Sequence, residues 1–185
     1  MKDEYRNINL YHGSDVKVKE PSIDKCNVGK DFGRGFYLSF NEKQATNFSK
    51  IIKRRNNSNH SIVNQYTLED LDGLKIYEFK KADEQWLDCI INYRYKYKKE
   101  SKWDKYDVLI GKIADDDTSK VISAYMSGAY GEIGSKQAVS FAVKMFNTRR
   151  LEKQICFKTN EALKHITYKV FYEDKQWKKK TKFIV

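Results

Sequence analysis

The hydrophobic positions of the chain follow two periods, and these predict alternating strands and helices. Alternation with a period of two, or a short apolar run, predicts a strand, whereas apolar residues spaced by three and four predict a helix. Strands are predicted over residues 8–11, 36–40, 61–68, 74–79, 107–113, 154–157 and 166–172. Helices are predicted over residues 42–53, 84–95 and 118–127, after Ser135, and over residues 160–164.

The order of these elements indicates a fold class. Strands and helices are mixed without the strand–helix–strand rhythm of a doubly wound sheet, which favours an α+β fold. The chain contains one proline and no Gly/Ser-rich linker that could separate two domains. Residues 1–185 are therefore predicted to form a single domain. The first helix is expected to place Ala45, Phe48, Ile51 and Ile52 on one inward face. The helix capped by Ser135 is expected to turn Ala138, Ala142 and Met145 inward.

Composition and charge narrow the classes of function. Aromatic residues make up 14% of the chain, which excludes general disorder. The net charge of +11 attracts phosphates or acidic partners, but only seven of the 36 basic residues are arginine. The positive charge could therefore serve to bind an anionic partner, or it could only reflect the general amino-acid composition of the source, and both interpretations stay open. The alternating Tyr and Lys/Arg residues at 93–98 suit single-stranded nucleic acid or a helix tail, and the basic residues 175–182 suit a lysine-protected edge strand.

The cysteines and the N-terminal residues indicate in which cellular compartment the protein is expected and whether it is expected to bind zinc. Cys26, Cys89 and Cys156 are scattered and odd in number, which argues against a disulfide scaffold and against a zinc site, so no metal is predicted. The N-terminus is charged from its second residue and the apolar runs are short, so neither a signal peptide nor a membrane contact is expected. A cytoplasmic protein is the expectation.

Two segments near the N-terminus could carry chemistry. His12 is followed at once by Gly13, which places an imidazole beside a backbone that a ligand can approach closely, although an ordinary turn gives the same pattern. Further on, glycines flank Arg34 and are followed by Phe36 and Tyr37. Successive strand residues point to opposite faces, so one of the two rings should be free to stack on a flat ligand. The alternative is a glycine-flanked turn before an ordinary strand.

Polar residues at two later strands are further candidates. Three carboxylates at 115–117 follow a predicted buried strand, where they could hold Mg²⁺ or orient a hydroxyl. They also suit a helix N-terminus, and we expect at least one of them to cap the helix at Thr118. Gln154 begins an otherwise apolar strand, and its amide suits a ribose hydroxyl, although an exposed strand edge would explain it equally.

Taken in order, these motifs resemble the His-Tyr-Glu class of ADP-ribosyltransferases, which includes diphtheria-toxin-like and poly-ADP-ribose-polymerase-like enzymes. More specifically, the chain is similar to a small uncharacterised bacterial family of that group, with the motifs HGS, DFGxGFY, YDVxxGxxADD, QxxF and TxxAL. These match residues 12–14, 31–37, 106–116, 154–157 and 159–163. The resemblance spans about residues 9–168 and implies a split β-sandwich of two small antiparallel sheets with flanking helices.

The resemblance also implies roles in binding NAD as a co-substrate. His12 would bond ribose hydroxyls, the backbone of Gly13 would hold the nicotinamide carboxamide, and Tyr37 would stack on the nicotinamide ring. In the third position this chain has Gln154 where the class has a carboxylate, which removes a charge that would stabilise the cationic ribose. The auxiliary acids considered are Asp115 and Glu152, and the further candidates for ribose and phosphates are Ser14, Arg34, Gly35 and Phe36.

The resemblance implies an NAD-dependent ADP-ribosyltransferase that modifies nucleic acid or protein. Its implied context is a bacterial toxin of a toxin–antitoxin or phage-defence pair, with a cognate antitoxin as partner. One alternative is an RNA 2′-phosphotransferase, which is disfavoured because arginine is scarce. The other is a catalytically weak or inactive module of the same fold that binds NAD or nucleic acid.

Overall fold

The computed structural model of the protein describes residues 3–96, 100–146 and 151–173. The described part is an α+β fold, as the sequence predicts. Its strands are β1 Ile8–Ser14, β2 Phe36–Ser39, β3 Ile62–Leu68, β4 Ile76–Glu78, β5 Val108–Lys112, β6 Lys153–Phe157 and β7 Ile166–Glu173. Its α-helices are α1 Glu42–Arg55, α2 Glu84–Tyr95, α3 Asp116–Met126, α4 Lys136–Met145 and α5 Asn160–Leu163. The basic residues 175–182 lie outside the described residues.

The described strands form one seven-stranded sheet in the order β4-β5-β6-β2-β1-β3-β7. The expected two separate antiparallel sheets are therefore not seen. Strands β4 and β5 are parallel, which makes the sheet mixed, and α2 provides the crossover between them. The sequence order thus contains one strand–helix–strand unit that the periodicity alone did not single out.

The sheet is weakly joined in its middle. Strand β1 pairs with β3 along its whole length, and β2 pairs in the same way with β6. Among the described residues, β1 and β2 share one pair, Tyr11 with Ser39. The described strands make no further pair with each other, and we call the unpaired stretch between residues 12–14 of β1 and residues 36–38 of β2 the β1–β2 seam. This one pair is what connects two strand groups into a single sheet.

Two hydrophobic clusters cover the two faces of the sheet. One contains Trp86 of α2 and Ile122 of α3 against Leu109 of β5. The other contains Leu38 and Ile155, which belong to the neighbouring strands β2 and β6. Because alternate strand residues point to opposite faces, β2, β5 and β6 each supply side chains to both clusters. The sheet is therefore fixed from both sides.

Helix α1 buries a different face from the one that its apolar pattern predicts. Ala45 and Ser49 are buried, whereas Phe48 is 40% exposed and Ile51 is 39% exposed. The reason is the close approach of α1 to β1, because a Cβ atom at Gly13 would lie 2.1 Å from the carbonyl oxygen of Ala45. Only small residues fit such a contact. The inward orientation predicted for the α1 side chains is thus wrong for two of them.

Two further features concern exposed surface. Met145 at the end of α4 is 51% exposed, so the prediction that it faces the core is wrong. The inward orientation predicted for Ala138 and Ala142 of α4 is confirmed, because both are buried. None of the helices in the described ranges combines the length and the apolar character that crossing a bilayer requires.

Candidate active site

His12 lies in β1 at the point where the β1–β2 seam opens. Its Nδ1 is 2.9 Å from the backbone oxygen of Tyr37, and its ring centroid is 4.6 Å from that of Phe36. A carbonyl oxygen only accepts, so Nδ1 carries the proton and Nε2 is left as an acceptor. Burial lowers the pKa of the imidazole, and the bond to the Tyr37 carbonyl opposes that shift in part. The ring is therefore a neutral group with a fixed tautomer.

Gly13 and Ser14 follow His12 in β1 and are both buried. Gly13 is required by α1, because an added Cβ would also lie 2.8 Å from the backbone nitrogen of Ser49. The oxygen Oγ of Ser14 accepts a hydrogen bond of 3.3 Å from the backbone N–H of Val16. The structure therefore gives both residues a local role in shaping the end of β1.

Tyr37 and Phe36 point to opposite faces of β2, which confirms the prediction that the two rings cannot share one core. Phe36 is 5% exposed and belongs to the core, whereas Tyr37 is half-buried. The Tyr37 hydroxyl donates to the Gly33 oxygen at 2.7 Å and accepts from the Phe32 N–H at 3.0 Å. Burial raises the pKa of this hydroxyl well above its ordinary value. Tyr37 is thus anchored by its hydroxyl to the turn that precedes its own strand.

The two glycines that flank Arg34 occupy positions where a larger residue would be strained or would clash. Gly33 has a φ of +83°, which favours glycine, and Gly35 lies so close to β6 that a Cβ would be 2.4 Å from the Cys156 Sγ atom. Arg34 between them is exposed. The turn therefore presents one cation to solvent while its glycines allow tight packing on either side.

Gln154 lies in the interior of the sheet, between Ser39 of β2 and Gly111 of β5. It is 8% exposed, so the alternative of an exposed strand edge is wrong. Its Nε2 donates to Oδ2 of Asp31 at 3.1 Å. From the register of β2 with β6, Gln154 shares a face of the sheet with Tyr37, and His12 lies on the other face with Phe36.

Asp31 is the first residue of the DFGxGFY motif, and the sequence does not predict it as a site residue. Its carboxylate is buried and also accepts from the Ala114 N–H at 3.0 Å and from the Arg94 Nε at 2.7 Å. A terminal nitrogen of the Arg94 guanidinium makes an ion pair with the same carboxylate. The sequence gives little indication that Arg94 pairs with Asp31, because Arg94 stands within a run of alternating basic and aromatic residues.

The two auxiliary acids considered from the sequence are engaged elsewhere. Asp115 is exposed and caps α3 by accepting from the Thr118 N–H at 2.9 Å, which confirms the expected capping role. Glu152 is exposed and accepts from the Asn41 Nδ2 at 3.1 Å, one residue before β6 begins. The acid that contacts Gln154 is instead Asp31.

The structure thus brings the principal candidates to three adjacent strands. His12 lies on β1, Tyr37 on β2 and Gln154 on β6, and the order of these strands in the sheet is β6-β2-β1. The chain belongs to the family described as protein of unknown function (DUF3990), whose model matches residues 8–168. Neither a curated protein nor a solved structure matches the chain. The matched range contains all the candidate residues.

Proposed function

We propose that the protein is an NAD-dependent ADP-ribosyltransferase whose reaction takes place at the β1–β2 seam. The observation that carries the proposal is the arrangement of His12, Tyr37 and Gln154, which are far apart in the chain but lie on three neighbouring strands. This is the order of side chains that the His-Tyr-Glu resemblance requires. His12 faces the other side of the sheet from Tyr37 and Gln154, so a ligand contacts all three only if it lies in the β1–β2 seam, where no strand pair has to be broken.

Each side chain has a chemical role in this proposal. The neutral His12 ring offers Nε2 as an acceptor for a ribose hydroxyl, while its Nδ1 stays bonded to Tyr37. The half-buried Tyr37 ring offers a surface for the nicotinamide. When the glycosidic bond breaks, nicotinamide leaves and positive charge develops on the ribose. The amide oxygen of Gln154 would accept from the ribose 2′-hydroxyl and stabilise that charge by its dipole alone.

The acceptor of the ADP-ribose is proposed to be a macromolecule. The net charge of +11 favours an anionic acceptor such as RNA or DNA, and exposed Arg34 lies next to the seam residues in β2. A toxin with a cognate antitoxin is the biological context that the resemblance suggests. A cytoplasmic location is part of the same proposal.

The test uses purified protein, cell lysate and NAD labelled in its adenosine half. Label that survives protease and is lost with nuclease would identify a nucleic-acid acceptor, and the reverse would identify a protein. His12→Ala is expected to abolish labelling, whereas His60→Ala, a matched change at an exposed histidine that contacts Glu173, is expected to leave it unchanged. Equal labelling by the two variants would contradict the site.

A second candidate function is favoured by one observation. Gln154 is uncharged and its Nε2 donates to Asp31, so the candidate site has an amide where the class has a carboxylate. If the protein only binds NAD, then adding NAD should raise its melting temperature, and no nicotinamide should be released. Both measurements on the same protein preparation distinguish this function from the proposed transferase.

A further inference from the structure

We propose that Asp31 is a positioning residue that fixes which end of the Gln154 amide faces the substrate. The inference rests on the proposed function, because the orientation matters only if Gln154 contacts a ribose hydroxyl. It assigns a task to the ion pair of the buried Asp31 carboxylate with the partly buried Arg94, which the motif residues by themselves do not explain.

The amide of Gln154 has two chemically different ends, and Asp31 accepts a bond from only one of them. A carboxylate has no proton to donate, so the Nε2 donor of Gln154 turns toward Oδ2 of Asp31, at 3.1 Å. The oxygen Oε1 is thereby turned away from Asp31. A reversed amide would place Oε1 against the carboxylate, where two acceptors repel each other. The hydrogen bond therefore selects one of two rotamers.

The carboxylate of Asp31 is itself held from three directions. The Arg94 Nε donates to Oδ1 at 2.7 Å, and the Ala114 N–H donates to Oδ2 at 3.0 Å. Arg94 is fixed in turn by a 2.9 Å bond from its guanidinium to the Ser119 hydroxyl of α3. Helix α2, the segment before α3 and strand β6 thus converge on one buried carboxylate, which leaves it little freedom to move.

This orientation suits the proposed reaction. The ribose 2′-hydroxyl is a donor toward the enzyme in the His-Tyr-Glu arrangement, and Oε1 of Gln154 is the acceptor that replaces the missing carboxylate oxygen. A reversed amide would present N–H groups to a ribose on which positive charge is growing. Asp31 therefore allows a neutral side chain to take a position that a symmetric carboxylate would fill in either orientation.

The first test is Asp31→Asn in full-length protein, measured as nicotinamide release against NAD concentration. The charged Arg94 retains the oxygen of the new amide, so the amide nitrogen takes the place of Oδ2, where the bond from the Ala114 N–H is lost. This nitrogen can only donate to Gln154, so the Gln154 amide reverses. We expect kcat to fall about tenfold or more while KM for NAD changes little. Asp107→Asn is the matched control, because Asp107 accepts from the Lys75 N–H at 2.9 Å and does not touch Gln154.

The second test removes the need for orientation. A carboxylate has two equivalent oxygens, so in a Gln154→Glu background Asp31→Asn should cause no loss of kcat. It should even raise kcat, because it removes the repulsion between two neighbouring carboxylates. An equal loss in both backgrounds would show general damage to the fold and overturn the inference.

A third measurement does not depend on turnover. The side-chain amide protons of Gln154 should give a shifted and exchange-protected NMR signal that Asp31→Asn removes and Asp107→Asn leaves in place. An unchanged Gln154 signal in Asp31→Asn would overturn the inference. Wild-type protein that releases no nicotinamide would instead contradict the proposed function, whereas normal release with an unaffected Asp31→Asn variant would contradict only the role of Asp31.

Discussion

The Nδ1 atom of His12 lies 2.9 Å from the backbone oxygen of Tyr37, across the β1–β2 seam. At this position the strands no longer pair, since their one pair among the described residues is Tyr11 with Ser39. A side chain thus provides the contact that a strand ladder would otherwise make. The same bond fixes the histidine tautomer and holds the backbone of Tyr37, so the geometry of the seam and the chemistry of its imidazole are coupled.

The stability of the protein should depend on the protonation of His12. Its pKa in the fold is lowered from 6.5 by burial, so the unfolded chain binds the proton more readily than the folded protein does. Stability is therefore fully present above pH 6.5 and is lost as the pH falls through the lowered folded value. Urea unfolding at pH 5 and pH 7 should show a larger loss for wild type than for His12→Asn. Equal losses would contradict the lowered pKa.

Gly13→Ala should destabilise the protein strongly. The added methyl group would lie 2.1 Å from the Ala45 oxygen, so α1 must move away from β1, at a cost of about 3 kcal/mol. Gly29→Ala is the control, because it adds a Cβ with no atom within 4 Å and bears only the strain of φ +73°, about 1 kcal/mol. Chemical denaturation that ranks the two variants equally would contradict the tight contact of α1 with β1.

These contacts explain which parts of the structure could be predicted from sequence. Helix α2 has the predicted bounds, Glu84 to Tyr95, because its apolar residues follow a helical period and the signal is local. The buried face of α1 could not be predicted in that way, because the close contact that determines it is made by Gly13, which lies in β1 and not in the helix itself. Phe48 is exposed for this reason, although its spacing is that of a core residue.

The candidate site shows the same division. Short motifs predict His12 and Tyr37, because each motif places its side chain within two residues of a glycine. The contact of Asp31 with Gln154 joins residues 123 positions apart, and no pattern in a single sequence reports such a pair. Only the antiparallel pairing of β2 with β6 brings the two segments together.

Tyr37→Phe should separate the structural role of the hydroxyl from the role of the ring. Loss of the bonds to the Gly33 oxygen and the Phe32 N–H should lower the free energy of unfolding by about 1–2 kcal/mol. The ring remains, so the affinity for NAD should be nearly unchanged, whereas Tyr37→Ala should abolish binding. Calorimetric titration with NAD compares the two variants. Equal loss of binding in both would contradict stacking as the main contribution of Tyr37.

Asp115→Ala tests whether this acid caps a helix or assists catalysis. Its carboxylate bonds the Thr118 N–H at 2.9 Å, so alanine should lower stability by about 1 kcal/mol and serine should restore most of it. Nicotinamide release per folded molecule should stay at the wild-type rate. A loss of release that serine does not restore would instead support the auxiliary acid expected from the sequence.

The rate of nicotinamide release from NAD tests the central claim most directly. Wild-type protein with a lysate as acceptor source should release nicotinamide, and Gln154→Ala should reduce the rate about 100-fold, because the group facing the cationic ribose is lost. Gln137→Ala, the same substitution on exposed surface of α4, should retain the full rate. Wild-type protein that releases nothing above the blank, or Gln154→Ala protein that works at the wild-type rate, would contradict the account.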